Sequence, residues 1–418
     1  MDTLNIAALL LTLAAVFSYF NYRFIKLPTV IGIMLIAIIM SLCLVLLDHF
    51  KLVNIYGYAN VLFKSIDFNK TLLHGMLSFL LFAGALHINF EDLAKHKLII
   101  IVLSTIGVVM STFIVGTASW CVFELIGIEM PFMYSLLFGS LIAPTDPVAV
   151  IGILKTAGAS KSLETKIAGE SLFNDGVAVV VFIVILGIIT GGHGVTFGHI
   201  ALLFAEEAIG GIVFGMAIGW ISYLMLKSVD NYQVEVLITL ALVMGGYALA
   251  GAIHVSGPIA IVVAGLLIGN KGRYLAMSDK TREHLDAFWE LMDEILNAVL
   301  FLLIGFELLV ISMSQPLLIA GLVMIPVVLL ARFISVGLPV TLMRPFVKFS
   351  PNVIKIMTWG GLRGGISVAL VLSLPLGPER KALLTVTYII VVFSILVQGL
   401  TIKYLFSGRV EPDGIEVS

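Results

Sequence analysis

Leu141-Ile142-Ala143-Pro144-Thr145-Asp146-Pro147 sets a carboxylate between two prolines inside an otherwise apolar run. Neither proline can donate a backbone hydrogen bond, so the carbonyls of Ser140 and Ala143 lose their helical partners and the helix is expected to break here. Non-helical backbone at bilayer depth is tolerated only where it is buried in protein or lines a cavity. A carboxylate at that depth costs roughly 3 kcal/mol or more. The stretch therefore reads as part of an ion or proton path, the plain alternative being a proline kink with a hydrogen-bonded Asp.

The composition supplies the membrane that this reading needs. The chain is 60% hydrophobic and 12% charged, with mean hydropathy +1.12, whereas soluble domains carry about 25% charged residues. An all-α polytopic membrane protein is expected, and a net charge of -2 suggests no nucleic-acid partner. Cys43 and Cys121 lie in apolar stretches and read as buried thiols rather than a disulfide or metal pair. The run Leu4 to Phe20 has no basic residue before it and Arg23 and Lys26 after it, as a retained first helix would.

Apolar runs of about 20 residues predict spans near 4–20, 28–47, 71–88, 98–123, 131–154, 166–189, 200–226, 233–251, 257–269, 288–311, 316–343, 353–374 and 382–406, about thirteen transmembrane helices. The ninth is short and is expected to extend into Ala252 to Gly257. Of the 24 Lys and Arg, five (Lys51, Lys64, Lys70, Arg380, Lys381) fall on one side and two (Arg332, Arg363) within predicted helices, which leaves seventeen on the other side. The positive-inside rule then places the N-terminus outside and the C-terminus in the cytoplasm. A short cytoplasmic tail, 407–418, and no soluble domain are expected. The loop 270–287, with Asp279, Glu283, His284, Asp286 and Glu290, reads as a solvated amphipathic helix and a candidate pH-sensing segment.

In the sixth span, Gly169-Glu170-Ser171-Leu172-Phe173-Asn174-Asp175 puts four polar groups on one helical face, since 170 and 174, and 171 and 175, are each four apart. Asp175 and Asp146 supply charge, Ser171 and Thr145 supply hydroxyl oxygens, and Asn174 is placed to donate to Asp146. Hard oxygen donors of this kind suit a small cation such as sodium. Glu170 is expected to pair with one of the two intramembrane arginines, Arg332 in preference to Arg363. Arg363 itself lies in Gly360-Gly361-Leu362-Arg363-Gly364-Gly365, a second interruption seven spans after the first. Interruptions in corresponding positions of two halves mark an inverted-repeat transporter. Crossing of these two broken helices would bring half-helix N-termini near Asp146 and C-termini near Arg363. His87, at the end of span three, is a candidate gate or pH sensor with an interfacial role as the alternative; Glu307 reads as structural, and Trp120 and Trp289 as interface anchors.

Thr145-Asp146-Pro147, Gly169 to Asp175 and Gly361-Leu362-Arg363-Gly364 together resemble the monovalent cation/proton antiporters of the NhaP and NHE type, over nearly the whole chain. The resemblance implies Asp175 as the carboxylate that binds the cation and exchanges the proton, with Asp146, Thr145 and Ser171 helping to hold Na+, Asn174 tethering Asp146, Glu170 paired with an arginine and Arg363 stabilising the crossing. It implies an integral plasma-membrane protein, the inner membrane in bacteria, acting as a secondary transporter rather than an enzyme, with no cofactor beyond the transported Na+ and H+. It further implies a homodimer, with dimerisation helices in 1–97 and 191–311 and a mobile core in 98–190 and 312–406. Some relatives carry an acidic residue in span three, where Leu81 to Ala85 has none.

The mechanism expected is alternating access with cation (Na+ or Li+) and proton competing for Asp175. Relatives with Asp at the position of Asn174 are thought to move two protons per sodium; an amide cannot titrate, so one-for-one electroneutral exchange is expected. A K+/H+ antiporter of the same fold is the nearest rival. A cation channel lacks its repeated carbonyl filter here, and an intramembrane aspartyl protease lacks its Gly-x-Gly-Asp before Asp175.

Overall fold

The computed structural model describes residues 3–50, 76–147, 150–151, 161–191, 197–309, 311, 314–347, 349 and 352–405. Helices α1 (Thr3–Phe20), α2 (Thr29–His49), α3 (Leu77–Leu86), α4 (Lys97–Ile126), α5 (Phe132–Ile142), α6 (Lys161–Thr190), α7 (Phe197–Lys227), α8 (Tyr232–Ala252), α9 (Gly257–Leu267), α10 (Asp279–Glu307), α11 (Gln315–Met343), α12a (Val353–Trp359), α12b (Gly365–Leu372) and α13 (Pro378–Leu405) follow in order, with no strand among the described residues. Among the described residues, eight helical segments are long and apolar enough to cross a bilayer, and α3, α5 and the segment Gly257–Gly272 are shorter apolar helices. The loop expected at 48–70 and the tail 407–418 lie almost wholly outside the described residues.

Local chemistry sets the helix ends. Asn231 accepts from the backbone N–H of Gln233 and Val234 at the start of α8, and Ser256 accepts from Ile259 N at the start of α9. Pro258 sits in the first turn of α9, where its missing N–H costs nothing. That cap, together with left-handed His254 (φ 57°), ends the connection at residue 256. The ninth helix therefore gains its length at the other end, through a π-turn over Ile268–Gly272, and not through Ala252 to Gly257 as expected. Ser278 caps α10 by accepting from Thr281 N. The segment 279–287 is consequently the first turns of one 29-residue helix and not a separate one; its polar face is solvated as expected, with Asp279 and Glu283 exposed and Leu285 buried.

Two apolar clusters organise the packing. One draws its buried residues from α4, α5, α6, α11, α12b and α13 and their adjoining turns, with Phe123, Phe138, Phe182, Met324 and Leu383 among them. The other joins α1–α3 and α7–α10 and extends to parts of α4, α6, α11, α12a, α12b and α13. Within the first, α4 and α5 approach so closely that a Cβ on Gly116 would lie 2.8 Å from Leu136 Cα, so backbone packs directly on backbone.

Three expectations about side chains are corrected. Cys43 and Cys121 are exposed, on apolar helix surface that suits a bilayer. Trp289 is fully buried, its ring packed on Phe82 and its Nε1 donating to Thr239 Oγ1 at 3.1 Å, so it is a core residue and not an interface anchor. Trp120, by contrast, is 37% exposed and meets Phe132 edge-on.

Candidate functional site

Helical backbone stops at Ala143–Pro147 and again at Gly360–Gly364, and the two interruptions bond to each other. Asp146 N donates to Leu362 O at 2.8 Å. Arg363 Nη1 donates to Ala143 O at 2.6 Å and to Pro144 O at 2.8 Å. The guanidinium therefore satisfies the Ala143 carbonyl that Pro147 leaves free, takes up that of Pro144 as well, and offsets the negative dipole end of α5. Both carbonyls that the prolines deprive of helical partners are engaged: Arg363 occupies that of Ala143, and Ser140 O accepts from Ala143 N at 3.4 Å. A π-turn in α13, Ser394–Gln398, supports the second break, because Ser394 Oγ accepts from Arg363 N at 2.9 Å and Gln398 Nε2 donates to Trp359 O at 3.0 Å. Gly364 permits the crossing: a Cβ there would stand 2.6 Å from Asp146 Cβ and 2.8 Å from its Cγ.

On α6, Glu170, Ser171, Asn174 and Asp175 are all buried. Thr145 Oγ1 and Ser171 Oγ are 3.0 Å apart. Asn174 Nδ2 donates to Thr145 Oγ1 at 2.8 Å and to Glu170 Oε1 at 3.4 Å, and Asn174 Oδ1 accepts from Thr145 N at 3.4 Å. The amide thus holds the broken segment at Thr145, one residue before the Asp146 carboxylate it was expected to grip. Arg332, from α11, forks onto Glu170, Nη1 to Oε1 at 2.6 Å and Nη2 to Oε2 at 2.7 Å. Of the two buried arginines, one pairs with the carboxylate and the other serves backbone carbonyls.

A cavity of about 670 Å³ runs to this crossing. Thr145, Asp146, Asp175 and His87 line it, whereas Ser171, Asn174, Glu170, Arg332 and Arg363 stand outside its lining. At its inner part, Asp175 Oδ1 is buried with no hydrogen-bond partner among the described residues. Interiors rarely leave a polar atom in that condition, and an unpartnered carboxylate oxygen on a residue that lines a cavity is a ready acceptor for a cation or a proton. At the other end stand Asn89, Asp92, Lys161 and Glu164. There Asp92 bonds Lys161 Nζ and Lys95 Nζ, each at 3.0 Å, and these bonds hold its carboxyl below the usual range. His96, with Nε2 3.0 Å from Ser162 Oγ, is pushed down by burial and then by Lys166.

The sequence profile of the transmembrane sodium/hydrogen exchanger family matches residues 9–408. The chain belongs to this family. It is 50% identical over 414 residues to the Na(+)/H(+) antiporter NhaP of Pseudomonas aeruginosa, covering 97% of this chain and 98% of that one. It is 33% identical to the Na(+)/H(+) antiporter NhaH of Halobacillus dabanensis, covering 92% of each. Its fold matches the structure of the sodium proton antiporter MjNhaP1 from Methanocaldococcus jannaschii at pH 8, with a TM-score of 0.72, 18% identity and 96% of both chains covered.

Besides Asn89, Asp92, Lys161, Glu164 and Thr165, three polar residues of this exchanger-family chain line the cavity without having been singled out from sequence: Asp293, Asn297 and Ser367. Asp293 and Asn297 are four apart on α10, which was a signal for a shared face, but they fall inside the predicted span 288–311, where spacing alone does not say what that face meets. Ser367 sits two residues past Gly365 in the first turn of α12b, a position whose importance depends on where the break lies in space.

Proposed function

We propose that this chain is a secondary antiporter that exchanges Na+, or Li+, for H+ by alternating access, with the two competing for Asp175. The observation that carries the reading is the unpartnered Asp175 Oδ1 at the cavity beside the crossing of two broken segments. Asp146 and Thr145 line the same cavity and add a second carboxylate and a hydroxyl; Ser171, bonded to Thr145 Oγ1, orients that hydroxyl. Glu170 with Arg332 and Arg363 with the α5 carbonyls keep the remaining charges internally compensated. A bare carboxylate opposes movement through the apolar barrier by roughly 3 kcal/mol or more. Protonated or cation-bound Asp175 is close to neutral and escapes that bar, so exchange is obligatory. Na+ is cargo here; no cofactor enters the mechanism.

Two groups of helices would move against each other: a core of α4–α6 and α11–α13, and a dimerisation domain of α1–α3 and α7–α10, in a homodimer of an integral plasma membrane, the inner membrane of a bacterium. The excess of Lys and Arg near the Asp92 and Lys161 end makes that end cytoplasmic, with the N-terminus outside. His87, on the cavity wall, would gate access from that side.

Purified protein in liposomes, loaded with a pH-sensitive dye and given Na+, Li+ or K+ in turn, tests the function. Na+ or Li+ should move protons, and Asp175→Asn should abolish the response. Exchange by Asp175→Asn at the wild-type rate would remove Asp175 from the site, and a response to K+ with none to Na+ would make this a K+/H+ antiporter of the same fold.

A further inference from the structure

Glu290, Asp293, Asn297 and Leu300 recur at helical spacing on α10, and all four line the cavity. Exposure falls along this stripe: Glu290 is exposed, Asp293 partly buried, Asn297 buried at 3%. Negative charge therefore runs from the wet rim toward the dry interior, an arrangement that draws cations inward. The α3 part of the wall, Leu77, Leu80, Leu81, Ala83, Gly84 and His87, offers no carboxylate.

Two further observations point the stripe at a ligand. Ser367 Oγ, at 1% exposure, is buried with no hydrogen-bond partner among the described residues, and Asn297, at 3%, keeps its amide beside the Asp293 carboxyl; both side chains line the cavity. Rotation about its last torsion lets the Asn297 amide present its oxygen instead. Asp293 also lies within electrostatic reach of Asp146. Yet no three acidic, His or Cys side chains among the described residues converge closely enough to hold one metal ion. Asp293 is thus a separate stop, not a third carboxylate on an ion already held by Asp146 and Asp175.

We propose that Asp293 and Asn297 form a staging site on the α10 wall, where the transported alkali cation loses part of its hydration before passing to Asp175. The proposal rests on the cavity being the transport path. One carboxylate with one amide binds a monovalent ion loosely, as a stop on a path requires. α10 belongs to the group of helices proposed to stay still, so the site serves the side to which this cavity leads.

The test is the Na+ dependence of dye-detected exchange in proteoliposomes, with Na+ titrated on the Asp92 and Lys161 side. Asp293→Asn should raise the half-saturating Na+ concentration about tenfold, the loss of one charge-assisted contact, while keeping the maximal rate. Asp293→Glu should restore it, and Asn297→Asp should lower it below wild type. An unchanged half-saturation in folded Asp293→Asn overturns the proposal, as does a rise that Asp293→Glu fails to reverse. Should Asp293→Asn not fold, Asn297→Asp decides: lower half-saturation supports the staging site and an unchanged value overturns it. Wild-type protein without exchange would defeat the transport reading itself, whereas wild-type exchange with an indifferent Asp293→Asn defeats the staging site alone.

Discussion

Glu170 and Arg332 form a buried pair that we expect to hold the fold and not to bind the cargo. The two-pronged contact buries both charges, with Glu170 at 1% exposure and Arg332 at 5%. Removing one member of such a pair leaves the other charged and unpaired, at a cost of about 3–5 kcal/mol. Glu170→Gln is accordingly expected to lower the melting temperature and monodisperse yield in detergent, while the folded fraction keeps its Na+ half-saturation. A normal melting temperature with weakened Na+ dependence would move Glu170 into the cation site. The sequence restricted Glu170 to two arginines, the basic residues that lie away from the ends of predicted helices. Choosing between them depended on a contact across 162 positions. Asn174 behaves similarly: its face of α6 is readable from the 170/174 spacing, but its bond to Thr145 is decided by how the broken segment bends.

Among the elements, the crossing of the two breaks carries the most consequence. Arg363→Met would strip partners from Ala143 and Pro144 carbonyls, at about 1–3 kcal/mol for each group left buried and unsatisfied. We expect reduced thermal stability and lost exchange; wild-type values for both would show that the carbonyls find other donors. A second contact between elements predicts a pH dependence. His96 precedes α4 and meets Ser162 in the first turn of α6, and its proton affinity is lowered by burial. With the folded pKa below the unfolded value of about 6.5, its contribution is complete above that pH and declines as acid protonates the unfolded chain first. The melting temperature should therefore fall between pH 7 and pH 5, and His96→Gln should fall less over that window. Equal slopes would rule the histidine out. Both breaks were visible in the chain because Pro144, Pro147 and four glycines act on their own backbone. The π-turn at Ser394–Gln398 was not, since no residue type in Ser-Ile-Leu-Val-Gln demands it.

For the whole molecule, the charge moved per cycle follows from which groups at the site titrate. Asn174, an amide, stands beside Asp175, so one proton is expected to leave as one monovalent cation binds. Exchange should then be insensitive to a membrane potential clamped with a K+ ionophore, and a sodium jump should give no sustained current. A potential-dependent rate would require a second titrating group; Asp146 and Asp293, both on the cavity, are the first to examine.

Composition and the order of Pro, Gly and charged residues were enough for a helical membrane fold with two interruptions and for picking out Asp146 and Asp175, which both line the cavity, because backbone hydrogen bonding and bilayer depth act locally on those residue types. They were not enough for α10. Its charges at 279–290 suggested water, yet Trp289 is buried against Phe82 while Asp293 and Asn297 turn to the cavity. Amphipathicity says that a helix has two unlike faces; whether the polar one meets solvent or an internal cavity depends on its neighbours. Arg363 carries the same lesson, since its place on the α5 carbonyls exists only once helices more than two hundred residues apart have crossed.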